Sequence, residues 1–170
     1  MTQGPPPLIR SARKGDGPAL AALQLDMAEY YLQLRPDDFR RPDTEGLCDH
    51  FDPSSHPENR DRLWIVAELG GEVAGSLIAY LQHPLPAARF GLQPWALSTS
   101  LRIDYLAVLR SRQRRGIATA LVQAAEDWGR ERGAVISFTG TYLESPLSVP
   151  FWTERQGYRR RSVALNKRLR

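Results

Sequence analysis

The chain has 170 residues, 42% apolar and 25% charged, an ordinary globular composition long enough for one well-buried domain, so disorder is not its default state. Its 23 Lys and Arg against 19 Asp and Glu leave a formal charge of +4, and much of the excess follows residue 101, as a site for an anionic cofactor or a nucleic-acid surface would require. No helix-turn-helix, zinc or aromatic RNA-binding signature accompanies that charge, which makes nucleic acid the weaker account, and no apolar run approaches a membrane span or a secretory signal.

Residues 1–7 end in three consecutive prolines and read as a flexible or extended leader, followed by a single domain over 8–170. Leu8 to Ala12 reads as a first short strand. Asp16 is placed to cap a helix over Gly17–Leu34, with Pro18 in its first turn and Leu20, Leu23, Met27, Tyr30 and Leu34 as its core stripe. Asp26, Glu29 and Tyr31 fall off that stripe, on a solvated face or facing a cleft. The proline-punctuated stretch Arg35–Asp43 is a connector to a short helix around Thr44–Phe51. The lone Cys48 cannot form an intramolecular disulfide, so a reducing cytoplasm is expected, and His50, His56 and His83 lack any metal-ligand spacing, so no metal is expected.

Leu63–Leu69 and Glu72–Gln82 are two strand-like runs around Gly70-Gly71, an antiparallel hairpin signal, and Gly75 marks a bulge or a close backbone approach. The connection over 83–100 is longer than a hairpin needs. Its Phe90, Leu92 and Trp95 would be costly to expose together, so a lid over a cleft and a homodimer contact both remain open.

Leu101–Val108 alternates like a strand covered on both faces, and Ile117, Leu121, Ala124 or Ala125, and Trp128 give the following helix, to about Glu131, a packed side. Between them Gln113-Arg114-Arg115-Gly116-Ile117-Ala118 opens that helix. Its first amides have no helical acceptor, Gly116 lets a ligand approach the main chain, and Arg110, Arg112, Arg114 and Arg115 add charge, which together suit a diphosphate. Gly133 ends the helix and Ala134–Thr139 follows as a strand, which implies a parallel crossover with the site at the strand ends, where Val108–Ala118 and Gly140–Ser145 would meet. A short helix over Pro146–Gln156, distorted or started by Pro150, and a last strand over Tyr158–Leu169 close the chain.

Gln113-x-x-Gly116-x-Ala118, preceded by Leu106-Ala107-Val108 and followed by a helix, resembles the acetyl-CoA signature of the GNAT N-acetyltransferases, Gln/Arg-x-x-Gly-x-Gly/Ala. Phe151-Trp152-x-x-x-Gly157-Tyr158 resembles the family's second signature, with Ser145 where the family has an Asn and Trp152 where many members have a tyrosine acid. The resemblance implies an α/β fold of the GNAT acyl-CoA N-acyltransferase type, a mixed, mostly antiparallel sheet of about six to seven strands flanked by about four helices. It also implies an acetyl-CoA-dependent acyltransferase acting on a primary amine of a small molecule or peptide by direct attack in a ternary complex. A non-catalytic acetyl-CoA sensor of the same fold is the alternative.

By the same resemblance the main chain of Leu106, Ala107 and Val108 would pair with the pantetheine arm. Gln113, Arg114, Arg115, Gly116, Ile117, Ala118 and Thr119 would hold the diphosphate, with Ser145 and Trp152 completing the cofactor side. Asp104 is the first candidate for general base, against a structural pairing with Arg102, and Glu144 is the second. Tyr142 or Tyr158 would replace the missing acid, unless either simply packs. Asp37, Asp38, Glu45 and Asp49, in the expected acceptor wall, would attract a cationic amine or serve solubility and capping.

Overall fold

Five runs of apolar alternation form one sheet with its strands in chain order: β1 (Leu8–Ser11), β2 (Arg62–Leu69), β3 (Glu72–Gln82), β4 (Ser100–Val108) and β5 (Ile136–Thr139). The structure is a computed structural model that describes residues 6–167 and 169, so residues 1–5 of the expected leader lie outside the described residues. β1 to β4 are antiparallel neighbours and β5 runs parallel to β4, giving the mixed sheet expected. Among the described residues there are five strands, not six to seven, because the described part of Tyr158–Leu169 forms no strand. Val163 and Leu165 there are 65% and 91% exposed, and alternation alone does not hold a segment extended without a neighbouring ladder.

The chain divides into two compact units, Met1–Gly140 and Thr141–Arg170. The first holds the sheet with helices α1 (Gly17–Leu34), α2 (Leu47–Phe51) and α3 (Ile117–Glu131). Leu20 and Leu23 on α1 are buried in one cluster with Val66 and Ala107, and Met27, Trp64 and Tyr105 pack against it. Helix α1 has the expected limits, but the Asp16 side chain does not cap it. Arg10 takes that carboxylate instead, through Nη1 at 2.7 Å and Nη2 at 2.8 Å, while its Nε donates to Glu68 at 2.7 Å. A forked guanidinium pair is roughly twice as strong as a neutral hydrogen bond, which explains the preference.

The Arg10 hydrogen bonds hold the Asp16 carboxyl below its ordinary value, and the Arg13 amide adds to the effect. A lowered folded-state value means that the stabilisation is complete above the unfolded carboxyl value, about 3.9, and is lost as pH falls through the folded one. Urea denaturation is therefore expected to show Asp16→Asn less stable at pH 7 by about 2 kcal/mol, with the difference from wild type shrinking below about pH 4.

Gly17, the first residue of α1, touches α2. A Cβ there would stand 2.3 Å from the Cys48 carbonyl oxygen. Although alanine is the better helix former by about 1 kcal/mol, the overlap is with main chain and cannot be relieved by a rotamer, so Gly17→Ala is expected to lose about 2 kcal/mol in thermal or urea unfolding.

The β2–β3 hairpin turns through Gly70 and Gly71, both at positive φ (64° and 85°), as two-residue turns of the primed type require. Gly75 serves both readings offered for it: the β2–β3 register shifts beside it, and an added Cβ would lie 3.0 Å from Ile117 Cγ2. On α3 the buried face runs through Ile117, Leu121, Val122, Ala125 and Gly129. Trp128 is only half-buried, with the Arg132 guanidinium 4.8 Å from its ring. The stripe passes through Gly129, where an added Cβ would come within 3.2 Å of the Leu101 side chain, which would have to shift to make room.

Within β4 the pairing with β3 steps from Ile78↔Tyr105 to Ala79↔Ile103, leaving Asp104 as an extra residue. A bulge of this kind reverses the side-chain alternation. Leu101, before it, meets α3 at Gly129, whereas Tyr105 and Ala107, after it, join the cluster around Leu20 and Leu23 of α1. The 83–99 connection forms two short 3₁₀ turns, Pro86–Phe90 and Pro94–Leu97. Trp95 packs edge-on against Phe138 at 4.8 Å, while Phe90 and Leu92 are 76% and 99% exposed.

In the second unit α4 (Ser148–Pro150) continues into a π-helical turn over Phe151–Arg155. The wider turn is closed by Gln156 N–H donating to the Phe151 carbonyl at 3.1 Å and Tyr158 N–H to that of Trp152 at 2.9 Å. Trp152 is buried, its ring edge-on to Phe151 at 5.1 Å and Tyr158 at 5.0 Å.

Candidate functional site

Strands β4 and β5 pair only from Ser100↔Ile136 to Ile103↔Thr139. At the last rung the Thr139 hydroxyl donates to the Ile103 carbonyl at 3.2 Å. Beyond it β4 continues to Val108, paired with β3 alone: Leu106 opposite Leu77, Ala107 opposite Ser76, Val108 opposite Gly75. Strand amides and carbonyls point alternately to the two sides, so this half of β4 offers main-chain groups on its β5 side. An extended amide chain can add to such an edge.

The edge leads into the arginine loop. Leu109 N–H donates to the Ala74 carbonyl at 3.0 Å, and Gln113 Nε2 donates to the Val108 carbonyl at 3.3 Å, so the glutamine fastens the loop to the end of the strand. Arg114 and Gly116 both have positive φ, 61° and 77°. For a residue with a Cβ, such as Arg114, that conformation costs about 1–2 kcal/mol. Left-handed residues among consecutive amides turn N–H groups into a shared concavity that suits an anion.

The first bond of α3 runs from Ala120 N–H to the Gly116 carbonyl at 2.9 Å, and no side chain caps the helix. The Ile117 and Ala118 amides precede that bond, at the positive end of the helix dipole. Around Gly116 there is open space, with nothing within 4 Å of where a Cβ would stand. Of the loop arginines, Arg110 pairs with Asp26 at 2.9 Å and Arg112 with Glu72 at 3.1 Å. Arg114 and Arg115 are exposed and form no ion pair among the described residues, which leaves their charge available to a diphosphate.

Asp104, the bulged residue, is exposed and bound to Arg102 Nε at 2.5 Å, the pairing offered as the alternative to a catalytic role. The next residue, Tyr105, is part of the α1 cluster, and burial pushes its phenol well above the ordinary range, so it remains a neutral hydroxyl. Glu144 and Tyr142 are exposed residues of the second unit, after β5. Ser145 is buried and its Oγ accepts the Ser148 amide at 3.1 Å, which helps to start α4.

Of the expected acidic wall, Asp38 is bound by Arg35 at 2.5 Å, and nearby Glu29 and Asp43 pair with Arg41 at 2.6 Å and Arg40 at 3.6 Å. Among the described residues no group of three or more His, Cys, Asp and Glu is placed to hold a metal ion, and no helix is long and apolar enough to cross a membrane. Sequence reading misses three features: the bulge, the left-handed Arg114 and the Asp26 contact. The bulge and the Asp26 contact are set by partners distant in the chain, and nothing in the local residue pattern signals either of them or the conformation of Arg114.

A strand edge opening beside a helix N-terminus with a glycine-bearing arginine loop defines an α/β protein with a site suited to an extended anionic ligand. The model of the acetyltransferase (GNAT) family matches residues 23–158, and the chain belongs to that family. Among solved structures it is similar to a transcriptional regulator from Bacillus halodurans C-125, at 20% identity and a TM-score of 0.71, over 96% of this chain and 99% of the other. It also resembles an aminoglycoside acetyltransferase from an uncultured soil metagenomic sample, solved with trehalose, at 20% identity and a TM-score of 0.62, over 96% and 97% of the two chains. An integron cassette protein from the mobile metagenome of V. cholerae is 16% identical with a TM-score of 0.71, over 98% and 94%. At these identities the likeness is one of fold. No curated protein sequence matches the chain significantly.

Proposed function

We propose that this protein transfers the acetyl group of acetyl-CoA to a primary amine of a small molecule or peptide, by direct attack in a ternary complex. The observation that carries the reading is the parting of β4 from β5 after Ile103, which leaves the Leu106–Val108 edge open and leads it straight into the left-handed Arg114–Gly116 turn. Acetyl-CoA, when bound, supplies an activated thioester carbonyl. The main chain of Leu106, Ala107 and Val108 pairs with its amide arm. The amides between Arg114 and Thr119 take its diphosphate, Arg114 and Arg115 add charge, and Gln113 holds the loop to β4. By the family resemblance, Ser145 and Trp152 are further candidates for cofactor binding.

An alkylammonium has a pKa of about 10, so the acceptor must lose a proton before its lone pair can attack. Asp104 receives that proton, directly or through water, in exchange for its bond to Arg102. Glu144 is the second candidate for this role. The C–S bond then breaks and the departing thiolate is protonated, by Tyr142 or by water, since an indole at residue 152 does not serve as an acid. The exposed thiol of Cys48 suits a reducing cytoplasm.

Calorimetry with acetyl-CoA, followed by CoA release over a panel of amines, tests the reading. The panel includes an aminoglycoside, a polyamine, free amino acids and peptide N-termini. Binding with release from any member supports an enzyme. Binding without release from any of them points to an acetyl-CoA sensor, and absence of binding overturns the assignment.

A further inference from the structure

We propose that Asp26 is a positioning residue for acetyl-CoA, holding the start of the diphosphate loop from α1; this rests on the acetyl-CoA reading above. Asp26 stands 84 residues from Arg110 in sequence, yet its Oδ2 accepts the Arg110 backbone N–H at 2.8 Å and its Oδ1 accepts Arg110 Nε at 2.9 Å. One carboxylate thus fixes both the main chain and the side chain of the residue at which the connection leaves β4. Charge-assisted bonds of this forked kind are strong and directional.

The other ties of the loop are weaker or more local. Gln113 reaches back five residues to Val108 at 3.3 Å, and Arg112 is held by Glu72, whose side chain is 76% exposed. The Asp26 side chain is 23% exposed, so its pair is less screened by solvent. Its helical neighbours Leu23 and Met27 belong to or pack against the cluster that contains Tyr105 and Ala107 of β4. Helix α1 is therefore held to the strand from which the loop departs, and Asp26 is a fixed point on it. Four residues beyond Arg110 the chain enters the left-handed conformation at Arg114, an arrangement costly enough to relax when its anchor is removed. Asp26 reaches no reacting atom; its contribution is to hold the amides where the diphosphate meets them.

The test is acetyl-CoA calorimetry, melting curves and steady-state kinetics on the full chain, with wild type, Asp26→Ala, Asp26→Asn and, as a control on the far part of α3, Asp127→Asn. Asp26→Ala is expected to weaken acetyl-CoA binding about tenfold and to raise its KM in proportion, with kcat and the amine KM within about twofold of wild type. Asp26→Asn keeps an oxygen for the Arg110 amide and recovers part of that loss, to about threefold, which a role confined to global stability would not produce. If Asp26→Ala does not fold, Asp26→Asn with a wild-type melting curve carries the comparison. Wild-type affinity in the folded variants overturns this proposal alone. Failure of the wild type to bind acetyl-CoA overturns the reading on which it rests, and this proposal with it.

Discussion

Gly116→Glu is expected to fold and to lose acetyl-CoA affinity by about a hundredfold or more, because a carboxylate placed against a diphosphate adds several kcal/mol of like-charge repulsion. The two effects are separable on physical grounds. Gly116 sits at φ 77° with open space where a Cβ would stand, so the substitution forces no clash at the Cβ and its main cost is the left-handed conformation. That cost is about 1–2 kcal/mol, and a negative charge at a helix N-terminus returns about 0.3–1 kcal/mol of it. The melting temperature should therefore fall by only about 2–4 °C in a chain of this length. Gly116→Asn accepts the same backbone without charge and is expected to keep affinity within about threefold. Calorimetry and melting curves on the two variants read this out, and a Glu variant that binds like wild type would place the diphosphate elsewhere.

Asp104→Asn is expected to lower kcat by about a hundredfold while leaving acetyl-CoA affinity and melting nearly unchanged. Stability should hardly move because the Asp104–Arg102 pair is solvent-exposed, with side chains 43% and 51% accessible, and such pairs contribute about 0–1 kcal/mol. Arg102→Ala removes the same pair yet keeps the carboxylate, so retained turnover there assigns the loss in Asp104→Asn to the missing base. Full turnover in Asp104→Asn would remove Asp104 from the chemistry and make Glu144→Gln the variant to measure. Steady-state kinetics on a responsive amine decides among these.

Most of the first unit was legible because its signals are local. The Gly70-Gly71 turn, the limits of α1 and the glycine ahead of α3 each follow from a residue type whose backbone preference matches the position it occupies. The errors arise where tertiary contacts outbid local preference. Asp16 looks like a helix cap but serves Arg10, and Trp128 looks like core although the buried face of α3 runs through Gly129, close against Leu101. The described part of Tyr158–Leu169 has strand alternation without a strand, since pairing is a property of two segments and the pattern describes one. For the proposed site, Gly116 and the loop arginines could be named from the sequence itself, and Gln113 through the family resemblance. The parting of β4 from β5 could not, because a register that ends after Ile103↔Thr139 leaves no mark in either strand's composition.

The extra residue at Asp104 also bears on how this protein can change over evolutionary time. In the 83–99 connection, where Leu92 is almost fully exposed, a residue gained or lost alters a surface excursion and little else. One residue lost at 104 would leave Tyr105 opposite Ile78 and Ile103 opposite Ala79 with their faces unchanged, whereas a residue lost between 105 and 108 would turn the rest of the strand over, exchanging what faces α1 for what faces α3. Drift in chain length is thus open to the lineage ahead of β4 and closed in the regular rungs on either side of the bulge, where substitution is the tolerated kind of change.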